Sequence, residues 1–190
     1  MAKTALLIDG KYFESVKRNF GVGRIDLELL SDNIIKEFNI DAERYRTYYY
    51  DALPWVGDPP IQEDLDRRAK KQSYLDKLKL LKRFEVRYGR VQRIPARCDN
   101  CGSEHIDFNQ KLVDVLFSID LIYLAWKKSV DSIAILTGDS DFSPAVRVSK
   151  EAGAMIYLVY DPTTYVHEEL KLACDDRLIL NKELFDSVIL

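Results

Sequence analysis

Short apolar runs of strand length alternate along this chain with amphipathic stretches of helical length. Residues 4–8, 45–50, 84–94, 132–137, 155–160 and a short 178–180 read as strands. Residues 12–19, 27–38, 63–82, 109–128, 142–152 and 166–174 read as helices. A parallel strand pair needs a long crossover, and a helix supplies one while satisfying its own backbone. The alternation therefore predicts an α/β fold: a doubly wound, mainly parallel sheet flanked by helices. Leu112, Leu116, Ile119 and Tyr123 recur at helical spacing, so the 109–128 helix is expected to pack that face on the sheet. With 190 residues, 47% of them apolar, the chain is long enough to bury a core as a single domain over 1–190.

The N-terminal apolar run of MAKTALLIDG is too short to span a bilayer and lacks the cleavage pattern of a signal peptide. Three cysteines, an odd number, suit a reducing compartment better than a disulfide framework. A cytoplasmic location with no membrane partner is the expectation. Oligomeric state is left open, a homo-oligomer included.

A formal charge of -3 hides an asymmetry. Between Arg67 and Arg97 stand twelve lysines and arginines against Asp76 and Glu85, an excess of ten. Tyr74, Phe84 and Tyr88 are interleaved with them, the mixture that single-stranded nucleic acid uses for phosphate contact and stacking. Arg67, Arg68, Lys70 and Lys71 head this run and are the first candidates for substrate binding. Trp55 and Trp126 are read as packing residues.

In open α/β sheets, ligands bind outside the carboxyl ends of the strands, where the strand order reverses. Asp9 ends the first strand, and Asp139 and Asp141 follow the strand at 132–137 in the sequence ILTGDSDFSP. If those strands are neighbours, the three acids converge. QKLVDVLFSID adds Lys111 and Asp114, three apart and expected on one helix face, and Asp120, which lies about 120° round an ideal helix from Asp114. A carboxylate set with no His or Cys beside it suits Mg²⁺ or Mn²⁺. Such an ion activates water and stabilises charge on phosphorus, so phosphodiester hydrolysis uses all these parts. A phosphatase that needs Asp at the first and third positions of its leading motif is disfavoured, because Lys11 occupies the latter.

The order IDGKYF, QKLVDVLFSIDLIYLA, ILTGDSDFSPAVRVSKEAGAMIYLVY and ELKLACDDRLIL resembles the NYN domain family, the PIN-like nucleases that include the LabA-like proteins. The resemblance implies a PIN-like doubly wound sheet and a metal-dependent ribonuclease, with RNA favoured over DNA. Its catalytic acids would stand at Asp9, Asp114 or Asp120, Asp139 and Asp141. Beside them, Lys111 is a candidate to neutralise phosphate or orient Asp114, and Ser140 a candidate to contact substrate. Family members commonly carry Asn where this chain has Tyr12, so Tyr12 is the position at which substrate contact would differ. A non-catalytic nucleic-acid or regulatory module on the same scaffold is the alternative.

CDNCGSEH places Cys98 and Cys101 in a C-x-x-C with His105 four residues beyond. Two thiolates at this spacing can clasp a structural Zn²⁺, with His105 as a third ligand. A fourth would have to come from elsewhere.

Overall fold

The computed structural model describes residues 2–190. Strands β1 (Lys3–Asp9), β2 (Glu43–Ala52), β3 (Phe84–Arg97), β4 (Glu104–Lys111), β5 (Ser132–Leu136), β6 (Met155–Tyr160) and β7 (Asp176–Ile179) form one sheet in the order β4-β3-β2-β1-β5-β6-β7. All neighbours are parallel except β3 and β4, an antiparallel ribbon. The helices are α1 (Gly10–Asn19), α2 (Leu27–Phe38), α3 (Gln62–Leu78), α4 (Val113–Trp126), α5 (Ser143–Glu151), α6 (Glu168–Ala173) and α7 (Lys182–Asp186).

The central strands are buried on both faces because side chains alternate across a strand. Ala5, Leu7, Tyr48, Tyr50, Ile133 and Ile135 meet α4, α5 and α6 on one side. Leu6, Ile8, Tyr49, Ala134 and Leu136 meet α1, α2, α3 and α7 on the other. Each fully buried side chain of this size contributes roughly 1.5–3 kcal/mol of transfer free energy. The tyrosine run is therefore a strand feature, and Tyr48, Tyr49 and Tyr50 are all buried. Among the described residues no helix is long and apolar enough to cross a membrane.

Two expectations need correction, and one element was not expected. Residues 109–111 are not helical but finish β4, whose partners run from Arg97↔Glu104 to Arg90↔Lys111. The signal was weak because the strand EHIDFNQK carries only two large apolar residues, Ile106 and Phe108, at alternate positions. Secondly, α4 buries Val113, Phe117, Leu121 and Leu124, while Leu112, Ile119 and Tyr123 of the expected stripe face outward. The helix is apolar nearly all round, so two stripes one residue apart both fit the spacing, and periodicity cannot choose between them. Beyond these, one turn of helix, α7, follows the last strand, capped by Asn181 Oδ1 accepting from Leu184 N–H at 2.9 Å.

The chain winds outward from β1 through β2 to β3, then returns to the opposite side of β1 with β5. The strand order reverses there, which opens a crevice at the carboxyl ends of β1 and β5. Leu112, left-handed at φ 72°, turns the chain from β4 into α4. That turn comes so close to β3 that a methyl group on Gly89 would overlap Val113 Cγ2 and stand 2.7 Å from the Lys111 carbonyl oxygen. Gly89 thus lets the first turn of α4 approach the crevice. We expect Gly89→Ala to lower stability in urea unfolding by roughly 1–3 kcal/mol. Gly23→Ala, where an added methyl group meets nothing within 4 Å, should stay within about 0.5 kcal/mol of the parent.

Candidate active site

Asp9 is the last residue of β1 and the N-cap of α1. Its Oδ1 accepts from the N–H groups of Lys11 at 3.0 Å and Tyr12 at 3.2 Å, and its Oδ2 accepts from the Thr137 hydroxyl at 3.3 Å. Thr137 Oγ1 also accepts from Asp139 N–H at 3.3 Å, joining the ends of β1 and β5. Asp139 in turn caps the 3₁₀ turn Ser140–Phe142, accepting from Asp141 N–H at 2.9 Å. Asp139 and Asp141 are exposed at the mouth of the crevice with the partly exposed Ser140 between them. Asp114 enters from the first turn of α4.

The four carboxylates are electrostatically coupled. Burial, against the three hydrogen bonds that favour ionisation, pushes the Asp9 carboxyl up from the ordinary 3.8 to about 6, and Asp114 adds to the rise. Asp114 is raised first by desolvation, then by Asp139 and Asp141, with Lys11 opposing. None of the four enters a salt bridge among the described residues. Other strand-end and helical acids nearby are neutralised. Lys71 stands against the buried Asp51 carboxylate, and Asp161 Oδ2 accepts from Asn19 Nδ2 at 2.8 Å.

A hard divalent ion is the counter-charge that this all-oxygen set fits. No three potential ligands among the described residues are close enough to enclose an ion as their side chains stand. The arrangement suits an ion that keeps several waters and takes one or two carboxylates plus substrate phosphate, as Mg²⁺ sites do.

Several sequence-chosen residues fall elsewhere. Asp120 is not in the cluster: it accepts from Arg87 Nε at 2.8 Å and from the Tyr50 hydroxyl at 2.9 Å, nearly two turns along α4 from Asp114. Tyr12 has its hydroxyl engaged within the protein. Its hydroxyl accepts from Asp161 N–H at 3.1 Å and shares a 2.7 Å hydrogen bond with Thr164, while its ring lies so close to Gly138 that a methyl there would come within 2.7 Å. Lys111 ends β4 and shares no helix face with Asp114.

The basic run is divided. Arg67 lines a cavity with Lys11, Arg68 lines a neighbouring one, Lys70 borders the far side of α3, and Lys71 is spent on Asp51. Cys98 and Cys101 close the β3–β4 turn without a third ligand. His105 pairs with Asp107 at 3.4 Å, and Cys174 is buried beside α6. A hydrogen bond with the Ser103 hydroxyl lowers the Cys101 thiol to about 7.

Asp51 and Asp161 were legible by the same signal as Asp9, an acid directly after an apolar strand run, in YYYD and LVYD. Asp51 touches the site's frame. A methyl on Gly10 would stand 2.8 Å from its Oδ2, and Gln110 Nε2 donates to its Oδ1 at 3.4 Å. It thereby ties α3 and β4 to the end of β1.

Comparison with known proteins agrees with this architecture. The family model for the NYN domain matches residues 3–181. An uncharacterized protein of Methanocaldococcus jannaschii is 28% identical over 153 residues, covering 80% of this chain and 53% of that protein. The chain thus spans about half the length of that relative. A crystal structure of a protein of unknown function from Vibrio parahaemolyticus superposes with a TM-score of 0.61 at 18% identity, covering 99% of this chain and 96% of the other.

The raised Asp9 carboxyl sets a sign for stability against pH. Its stabilising contribution is complete below the ordinary 3.8 and is lost as pH rises through about 6. Asp9→Asn, which keeps a cap acceptor, should therefore raise stability at pH 7 in chelator by about 1–3 kcal/mol and change it little at pH 4. Urea unfolding at both pH values measures this.

Proposed function

The chain belongs to the NYN domain family, and on that premise we propose that it is a divalent-metal-dependent endoribonuclease hydrolysing RNA phosphodiester bonds. The observation that carries this reading is the convergence of Asp9, Asp114, Asp139 and Asp141 at the sheet's switch point with no salt-bridge partner. These four are the residues that would hold Mg²⁺ or Mn²⁺. Such an ion supplies positive charge to the scissile phosphate and lowers the pKa of an attacking water.

The chain's own residues position the rest. Asp9 is fixed by three donors and cannot swing from the crevice. Asp139 is held by its cap on Asp141 N–H, the exposed Asp141 carboxylate can adjust to substrate, and the Ser140 hydroxyl between them is a donor for a phosphate oxygen. Lys11, bound through its backbone to Asp9, and Arg67 beside it neutralise the neighbouring phosphates. RNA is the substrate that the family resemblance implies. A cytoplasmic location and one domain over the whole chain accompany this reading, with Cys98, Cys101 and Cys174 all free thiols.

Asp139→Asn should reduce cleavage of single-stranded or structured RNA in Mn²⁺ by at least about 100-fold while thermal unfolding stays cooperative. Chelator should abolish the wild-type activity. Cleavage by Asp139→Asn at the wild-type rate would refute the assignment. RNA binding without turnover in either ion would replace it with a non-catalytic nucleic-acid module.

A further inference from the structure

We propose that Trp55 and Phe108 form a nucleobase-stacking subsite beside the carboxylate crevice, occupied by single-stranded nucleic acid whose adjoining phosphates meet Lys11 and Arg67. The proposal takes its ligand class from the preceding reading and adds the place where a base is held. Trp55 lies in the loop between β2 and α3, and Phe108 on β4. Their ring centroids are 5.4 Å apart and the planes are inclined at 39°. Neither ring belongs to either of the two cores. Phe108 is 52% exposed and Trp55 partly so. Both rings line one cavity of about 340 Å³, within the range of small-ligand sites, together with Lys11, Arg67 and Gln110.

The charge around the rings selects the occupant. Arg93 places its guanidinium 5.6 Å from the Trp55 ring centroid. A second cavity of about 470 Å³ shares Trp55 and is lined by Arg68, Lys79 and Arg90. No carboxylate lines either cavity. Arg67 and Lys79 carry exposed pairs to Asp64 and Asp76, pairs of a kind worth little in water, while Lys11, Arg68, Arg90 and Arg93 enter no salt bridge among the described residues. Aromatic faces interleaved with cations hold successive bases and phosphates of a single strand, and every base has a face to offer. Lys11 joins this surface to the acids, since it lines the first cavity and its charge acts on Asp114. A strand stacked at Trp55 is thereby led along Lys11 toward the acids.

The test measures binding in chelator, so that no turnover intervenes. Trp126, 76% exposed at the end of α4, is replaced by Phe, leaving Trp55 as the only indole of the two in the chain. Decauridylate should quench its fluorescence, and an abasic ribose-phosphate oligomer of equal length should not. In the wild-type background, Trp55→Ala and Phe108→Ala should each weaken decauridylate binding about 5- to 150-fold. Abasic-oligomer binding and the salt dependence should not change, and Trp55→Phe should recover most of the loss. Wild-type affinity in Trp55→Ala, equal weakening toward the abasic oligomer, or equal quenching by decaglutamate would overturn the proposal. A silent cleavage assay with intact quenching would remove the nuclease reading alone, and active cleavage without quenching would remove the stacking subsite alone.

Discussion

Strand β1 is hydrogen-bonded to β2 along one edge and β5 along the other, with Ala5 through Ile8 fully buried. A strand held in this way cannot shift register without turning its apolar set to the wrong face. Its last residue is an aspartate whose oxygens are both engaged, so the position of one carboxylate is set by the sheet itself. Asp139 and Asp141 follow from the neighbouring strand, and Asp114 from a helix whose entry Gly89 permits. The central sheet fixes where negative charge gathers, and among the described residues only Lys11 is seen to oppose it, at Asp114. The contrast with Asp51, Asp120 and Asp161 is informative. Those acids stand close by and each has been given a cation or a set of donors. The four at the crevice enter no salt bridge among the described residues.

The β3–β4 ribbon gives this crevice its surroundings. The ribbon lies at the edge of the sheet, where the residues of β4 and of β3 beyond Gly89 are largely exposed. An exposed ribbon rich in arginine and carrying Phe108 is poorly explained by packing, since it contributes little to either core. On the proposed function it is a surface that a polyanion would cross. Lys71 and Gln110, meeting at Asp51, hold α3 and β4 against the acid-bearing end of β1. The cations and the carboxylates are thus parts of one braced arrangement.

Much of this was legible from residues alone. The central strands announced themselves as uninterrupted apolar runs, and Asp9, Asp139 and Asp141 were visible as acids at the ends of two such runs. What escaped had identifiable causes. β4 was hidden because an exposed ribbon has no buried face to imprint a pattern, and Lys111 was misplaced with it. The packed face of α4 was ambiguous because its outer stripe is apolar too. Asp120 and Tyr12 could not be assigned from spacing, because Arg87, Tyr50 and Thr164 lie 33, 70 and 152 residues away from them in sequence. Trp55 looked like packing because nothing local shows that its partner would be a half-exposed ring on a strand not yet recognised.

On the proposed function, a divalent ion supplies the counter-charge that the four carboxylates lack. Calorimetric titration of the metal-free protein with Mn²⁺ tests it most directly, with Asp114→Asn alongside. Asp114 is the most informative position because it couples to Asp9 on one side and to Asp139 and Asp141 on the other. The account predicts saturable binding at pH 7 that is lost or strongly weakened by Asp114→Asn. A featureless wild-type titration, or equal binding by wild type and Asp114→Asn, would contradict it.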